Sequence, residues 1–398
     1  MYRLMILLSI FAVGSIQADT SHKKIWYAPN TFEAYGQEEM DAVSKCLQDG
    51  WLAGFGPKTK TFEKRVADLF GKEYGLFVNS GSSANMLALL ALDVGPGDEV
   101  ITPACTFATS VAPIIQLGAT PVFCDVVLGK YVPEVEDIVK LITPKTKCIL
   151  IPNLVGSKPD WKTLRTFTNL PLIEDSCDTI TFTKETDIST TSFYASHIIT
   201  ACGSGGMVMF NNKDLLNKAT MYRDWGRIGD NVEDMSERFN HLIDDIPYDY
   251  KFLYGVAGYN FKSSEVNAAF GLVQLDKLEG FKKKRREIIQ AYMTHLQGTS
   301  YLLPTDDETL HWLAMPLMSK HRMELLKFLE ANNVQTRVLF SGNITRHPAY
   351  RNYYQEFPNA DRIMSEGFLL GAHHGMTIED VEYICNLLKR FESELKNR

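Results

Sequence analysis

The chain has 398 residues, 45% of them hydrophobic and 22% charged, with 41 Lys and Arg against 48 Asp and Glu and a formal net charge of −7. This composition excludes collagen-like, disordered and coiled-coil chains, and the length is ample for a large core in two or three units. An acidic balance with no long basic run also excludes a nucleic-acid binder that works by neutralising phosphates; an anionic small molecule in a locally positive pocket stays open.

At the N-terminus, Met1-Tyr2-Arg3, the apolar run Leu4 to Val13 and the small residues up to Ala18 look like a secretory signal peptide. The run is too short to span a bilayer, and no other stretch is long and apolar enough to do so. The alternative is a plain hydrophobic extension, and residues 1–24 are set apart in either case. The remainder reads as a cytoplasmic enzyme. Its seven cysteines are odd in number and contain no C-x-x-C, which argues for reduced thiols rather than a disulfide framework or a zinc ribbon.

From about Trp26 the pattern alternates strands and helices. Short apolar runs at 75–78, 99–102, 121–125, 148–152, 171–175 and 205–210 are expected strands, and Met86 to Leu92 reads as a buried helix. Helix-length spacers between such runs point to a mostly parallel sheet wrapped by helices, an α/β unit over residues 25–275. After Asn267 the chain turns helical, and the run Lys282-Lys283-Lys284-Arg285-Arg286 is expected to be the solvated face of a long helix joining two lobes. Residues 276–398 read as a smaller α+β domain.

Two features carry chemistry on their own terms. The strand–turn–helix containing Ser80-Gly81-Ser82-Ser83 offers backbone N–H groups and a helix N-terminus to an anion. Asp175 ends an apolar strand at the edge where α/β proteins bind ligands, and a carboxylate there can pair with a protonated ring nitrogen. A phosphate-free Ser/Gly turn and a helix-capping Asp are the bland alternatives. His373-His374 has no nearby third ligand, so no metal site is expected.

Taken in order, Ser80-Gly81-Ser82-Ser83, Thr102-Pro103-Ala104-Cys105-Thr106-Phe107, Ile173-Glu174-Asp175, Ser192-Phe193-Tyr194 and Gly258-Tyr259-Asn260 resemble the DegT/DnrJ/EryC1/StrS family of sugar aminotransferases, which use pyridoxal phosphate. The resemblance runs from about Trp26 to the C-terminus. It implies the fold-type-I transferase architecture and a homodimer with shared active sites. Backbone groups of Ser82 and Ser83 would hold the cofactor phosphate, Phe107 would stack on the ring, Asp175 would keep the ring nitrogen protonated, and Asn260 would reach the neighbouring subunit's phosphate.

The chain departs from the aminotransferases at His197, four residues after Phe193, where they carry the lysine that forms the Schiff base. Imidazole cannot form that imine but can move a proton near neutral pH. This change resembles the family's sugar 3-dehydrase branch, of CDP-4-keto-6-deoxyglucose 3-dehydrase and GDP-4-keto-6-deoxymannose 3-dehydratase type. That branch uses non-covalent pyridoxamine phosphate to remove the C3 hydroxyl of a nucleotide-linked 4-keto-6-deoxyhexose, in deoxysugar and lipopolysaccharide biosynthesis. Tyr194 and Asp178 would orient the cofactor or His197, Arg337 and Arg346 would bind the substrate phosphates, and glutamate is a possible amino donor. Two features differ from the branch. The stretch Thr200 to Gly206 is one residue longer than its usual loop and lacks a Glu, and no cysteine lies between Cys202 and Cys385, so a four-cysteine iron–sulfur cluster after Arg223-Asp224-Trp225-Gly226-Arg227 is not expected. The rival readings are a conventional aminotransferase and an inactive relative serving as a binding subunit.

Overall fold

A computed structural model describes residues 22–29, 34–229, 234–307 and 309–397. The signal-like segment at 1–18 lies outside them. The first sheet contains β1 (Tyr74–Val78), β2 (Glu99–Pro103), β3 (Thr120–Cys124), β4 (Thr146–Pro152), β5 (Leu172–Asp175), β6 (Ile188–Ser192) and β7 (Gly206–Phe210). Their order is β1-β7-β6-β5-β4-β2-β3, and all neighbours are parallel except the two pairs made by β7. All six expected strands form, within two residues of their expected ends.

β6 is the strand that hydrophobicity does not announce, because four of its five residues, Ser189, Thr190, Thr191 and Ser192, carry hydroxyls. All five are nevertheless buried. Burial is tolerated because the hydroxyls find acceptors: Ser189 Oγ donates to Glu174 Oε2 at 2.9 Å, Thr190 Oγ1 to Asn85 Oδ1 at 2.6 Å and Thr191 Oγ1 to the Ser176 carbonyl at 2.9 Å. The helix Gly81–Ala91 starts where Ser80 Oγ accepts the Ser83 N–H at 3.1 Å, an N-cap. It is apolar on all sides, and every residue except Ser82 is buried against the sheet.

An exposed hairpin, β8 (His241–Ile243) and β9 (Ile246–Tyr248), precedes a second sheet of β10 (Ala314–Met318), β11 (Arg337–Val338) and β12 (Gly367–Gly371), antiparallel in the order β10-β12-β11. The 31-residue helix Glu265–His295 leads from one sheet to the other, packing on the helices Gln37–Asp49, Pro57–Phe70 and Ile378–Lys396. The expected boundary between residues 275 and 276 falls inside this helix. One apolar cluster joins Ala104, Val111 and Phe123 of the first unit to Trp312, Phe368 and Phe391 of the second. The basic run on this helix is not uniformly solvated: Lys283 is exposed, but Arg285 is only 1% exposed. The helix is packed on more than one side, and position 285 faces inward with its hydrophobic neighbours Ile288 and Ile289.

Gly206, which opens β7, lies so close to the Ser80–Gly81 turn that a Cβ there would stand 2.3 Å from the Ser80 carbonyl carbon and oxygen and 2.5 Å from Gly81 N. Gly206→Ala is expected to lower stability by about 1–3 kcal/mol through overpacking against rigid backbone. A lower urea midpoint, with the slope retained, checks this.

Candidate active site

Parallel strands present their carboxyl ends at one edge of a sheet. Pro152, Asp175 and Ser192, the last residues of β4, β5 and β6, meet there with Ser80, Gly81 and Ser82 from the turn after β1. Val338 of β11 and Leu369 of β12 face them from the second sheet, and the cleft between encloses about 440 Å³, a size suited to a cofactor-sized ligand.

Asp175 is fixed from three directions. Its Oδ2 accepts from Asn85 Nδ2 at 2.8 Å and Ser110 Oγ at 2.7 Å, and its Oδ1 accepts from the Cys177 N–H at 3.3 Å. Phe107 caps the helix Ala108–Gln116, remains exposed, and meets Phe340 edge to face at 6.2 Å. Tyr194 and His197 follow β6 in a turn closed by the His197 N–H on the Tyr194 carbonyl at 3.0 Å. Thr200 Oγ1 donates to the Phe193 carbonyl at 2.9 Å and Asn267 Nδ2 to the Ala201 carbonyl at 2.6 Å, so the longer 200–206 loop is tied down at two points.

His197 Nδ1 lies 3.9 Å from Asp178 Oδ1, beyond hydrogen-bond reach, and has no partner among the described residues. Such contacts commonly tighten only when ligand arrives. Burial pushes Asp178 up to about 7; the Val155 N–H, donated to Oδ2 at 2.7 Å, opposes the shift and the Asp175 charge reinforces it. Burial pushes His197 down to about 4, with the Arg285 charge acting in the same direction. Both effects favour the neutral forms: near pH 7 the imidazole is unprotonated, while the Asp178 carboxyl is midway through its titration.

Of the residues expected from sequence, Ser82, Phe107, Asp175, Asp178, Tyr194, His197 and Arg337 all line the cleft. Three do not. Ser83 turns inward: its N–H is taken by Ser80 Oγ and its hydroxyl donates to Asn79 Oδ1 at 2.6 Å. Arg346 grips Asp361 through both Nε and Nη2, the latter at 2.9 Å. Asn260 is exposed, and its backbone bridges that of the buried Asp224. His373 and His374 have structural contacts, the first to the Trp26 carbonyl at 3.1 Å and the second stacked on Phe281 at 3.9 Å. No cluster of three or more metal-ligating side chains occurs among the described residues. Sequence reasoning missed Tyr27 and Ser110, which line the cleft, and Asn85, which holds Asp175, and it gave no role to Ser192 of the quoted motif, which also lines the cleft. Asn85 was signalled by being a polar residue inside an apolar helix; Tyr27 had no local signal, since its N–H is held by Gln335, 308 residues away.

This sheet, with its binding edge and second lobe, defines the fold-type-I architecture of pyridoxal-phosphate enzymes. The chain belongs to the DegT/DnrJ/EryC1/StrS aminotransferase family, whose model matches residues 33–389. It is 36% identical to the lipopolysaccharide biosynthesis protein RfbH of Salmonella typhimurium, with 91% of each chain covered. It is 33% identical to the dTDP-4-dehydro-2,6-dideoxy-D-glucose 3-dehydratase of Saccharopolyspora spinosa, covering 84% of this chain and 80% of that one. Among solved structures, the E. coli GDP-4-keto-6-deoxy-D-mannose-3-dehydratase with bound hydrated PLP superposes with a TM-score of 0.82 at 22% identity, over 92% of this chain and all of that one; that likeness establishes the fold.

The residues present fit such a cofactor. The turn before the helix Gly81–Ala91 is a tight cradle, since a Cβ on Gly81 would stand 2.7 Å from Cys177 Sγ and 2.8 Å from Ser192 Cβ. An aromatic wall and a fixed carboxylate complete the set of donors and acceptors.

The Asp178 environment makes a signed pH prediction. Its folded-state value, about 7, lies above the ordinary 3.8, so the stability it contributes is complete below about pH 3.8 and is lost as pH rises through 7. Asp178→Asn does not titrate. Its stability relative to wild type is expected to climb between about pH 4 and 7, by on the order of a few kcal/mol, and to level off above. Parallel thermal melts of the ligand-free proteins across that range test this; a constant difference would contradict it.

Proposed function

We propose that this protein is a pyridoxamine-phosphate-dependent 3-dehydratase of a nucleotide-linked 4-keto-6-deoxyhexose, working in deoxysugar and polysaccharide biosynthesis. One observation carries the reading: the cleft has no lysine among its described lining residues, and an imidazole stands where an aminotransferase needs an amine. The names of the two 3-dehydratase relatives support it.

Bound pyridoxamine phosphate supplies an amine for the sugar ketone and a ring that takes up electrons. The protein's own groups do the rest. Ser80, Gly81, Ser82 and Ser192 hold the phosphate, with Ser83 supporting the turn from inside. Phe107 covers the ring, and Asp175, immobilised by Asn85 and Ser110, accepts from the ring nitrogen. His197, with Nδ1 turned toward Asp178, moves the proton at Nε2, and Tyr194 and Asp178 orient it. Arg337, at the open side of the cleft, binds the nucleotide's phosphates, and Arg346, held by Asp361, steadies the adjoining segment. Glutamate is the proposed amino donor. The enzyme operates without an iron–sulfur cluster, because the stretch from Cys202 to Cys385 contains no intervening cysteine.

We also assign the functional unit as a cytoplasmic homodimer with lobes meeting near residues 275–276. Trp51 and Phe55 are exposed and meet at 5.8 Å, and Lys262 Nζ lies over the rings of Phe55 and Trp225 at 5.2 and 4.8 Å. This apolar surface adjoins Asn260 through the Asp224 bridge, which supports the reading that Asn260 serves the partner's cofactor phosphate. All seven cysteines are free thiols, in keeping with a reducing compartment, and among the described residues no helix is long and apolar enough to cross a membrane.

The decisive assay offers a panel of 4-keto-6-deoxy nucleotide sugars with pyridoxamine phosphate and glutamate, and follows loss of the C3 hydroxyl by mass. His197→Asn is expected to slow that loss about 10²–10⁴-fold while retaining the cofactor, since Asn keeps some hydrogen bonding but accepts no proton. Wild-type rates in this variant would remove His197 from its role. Borohydride treatment of the purified enzyme is expected to leave no covalent cofactor adduct; an adduct on an active-site lysine would restore the aminotransferase reading. Anaerobically purified protein is expected to hold no stoichiometric iron or acid-labile sulfide, and two irons per chain would overturn the cluster-free assignment.

A further inference from the structure

Arg285 is 1% exposed, and its Nη1 donates to the Leu313 carbonyl at 2.9 Å and the Ala372 carbonyl at 3.1 Å. Its Nε and Nη2 have no partner among the described residues. A buried guanidinium without a carboxylate is an unfavourable arrangement, so what surrounds it matters. A line of hydrogen bonds leads from it to the cleft. The Leu313 N–H donates to the Val155 carbonyl at 2.7 Å, and the Val155 N–H donates to Asp178 Oδ2 at 2.7 Å. Val155 achieves this in a left-handed conformation, φ 61° and ψ −1°, that a β-branched residue adopts only when its surroundings impose it. The imposition is visible at Gly156, where a Cβ would stand 2.4 Å from the His311 carbonyl oxygen and 2.7 Å from Trp312 Cα. The turn at 153–156 is thus clamped on the 311–313 segment that Arg285 holds.

We propose that Arg285 is a positioning residue for the His197–Asp178 pair: it anchors the segment that keeps Val155 in its turn against Asp178, and its guanidinium, buried without a carboxylate, biases the imidazole toward its neutral form. The inference rests on the reading of His197 as the proton-transfer group. His197 has Asp178 from the turn after β5 and Tyr194 from its own loop beside it, and the charge of Arg285 on the long helix acts on it; Arg285 also acts on Tyr27 from the N-terminal segment and on His373 after β12. A fixed cation disfavours a second proton on the ring, so the base stays available at a pH where an ordinary histidine is half protonated. Burial acts in the same sense.

The test is an NMR titration of histidine-labelled, full-length enzyme as purified, with the His197 signal identified by its absence in His197→Asn. In the wild type His197 is expected to stay unprotonated down to about pH 5. In Arg285→Met the midpoint and the acid limb of kcat/KM are expected to rise together by about one pH unit. Arg285→Lys, which keeps the charge and a donor for the carbonyls, is expected to restore both to near wild type. A midpoint unmoved in Arg285→Met, or raised as far in Arg285→Lys, overturns the proposal. If Arg285→Met does not fold, the other two proteins decide: a wild-type midpoint at or above pH 6, or an Arg285→Lys midpoint one unit higher than wild type, overturns it. The titration needs no turnover, so its result is independent of whether the product assay supports the dehydratase reading.

Discussion

Asp175 is 5% exposed at the end of β5, and a carboxylate in that position demands donors from whatever packs around it. The helix after β1 supplies Asn85, the helix Ala108–Gln116 supplies Ser110, and the backbone after β5 supplies the Cys177 N–H. Asn85 can serve only if its own amide oxygen is engaged, and Thr190 of β6 does this at 2.6 Å. One side chain therefore dictates polar residues in two helices and a strand that apolar packing alone would have filled with Leu and Val. Losing any single donor would leave a buried group unsatisfied, at about 1–3 kcal/mol, which is why these contacts behave as one unit rather than as separate bonds.

Around this centre the fold tolerates several locally unfavourable states. Val155 sits at a positive φ, His197 Nδ1 lacks a partner, and Arg285 is buried without an acid. Each is a cost that extensive apolar packing elsewhere can carry: several apolar clusters fill the two units, one of them spanning both, with Trp161, Trp312, Phe62 and Phe368 fully buried. Backbone strain and unpaired polar atoms are often found where function requires them, and these three lie between the long helix and the cleft.

How much of this was legible depended on the range of the interactions. Six strands of the first sheet follow from short apolar runs because each is buried on both faces, and a doubly buried strand has no need to alternate. β6 escapes that logic because its neighbours, Glu174, Asn85 and Ser176, are polar and lie up to 105 residues away. Motif order brought seven expected residues into the same cleft, yet motif order is silent about what a side chain does once it gets there. Arg346 is occupied by Asp361, fifteen residues further on, and Ser83 spends its donors on its own turn. Tyr27 and Arg285 could not be found from their own segments, since what makes them important is contributed by residues near 313, 335 and 372. A basic run reads as solvated by composition, and only the helix's packing on both lobes reveals the one member that turns inward.

On the proposed reading, a cleft with no lysine among its described lining residues constrains how the rest of the site is built. A lysine tethers its cofactor covalently, so modest non-covalent contacts suffice between turnovers. A site with an imidazole there has no tether, and its hold on the cofactor comes entirely from a phosphate cradle, a ring wall and a carboxylate, each of which must be in place before the ligand arrives. The Gly81 turn closed against Cys177 and Ser192, the Gly206 contact on Ser80, and the threefold grip on Asp175 are preorganisation of that kind. The same economy applies to the base. An imidazole that must accept a proton works best if its surroundings keep it neutral without engaging its lone pairs, and a buried site with a distant cation achieves this where a closely bonded carboxylate would favour the imidazolium. On the proposed reading, the 3.9 Å gap to Asp178 and the buried Arg285 are therefore two parts of one arrangement that leaves the imidazole neutral and its lone pair unengaged.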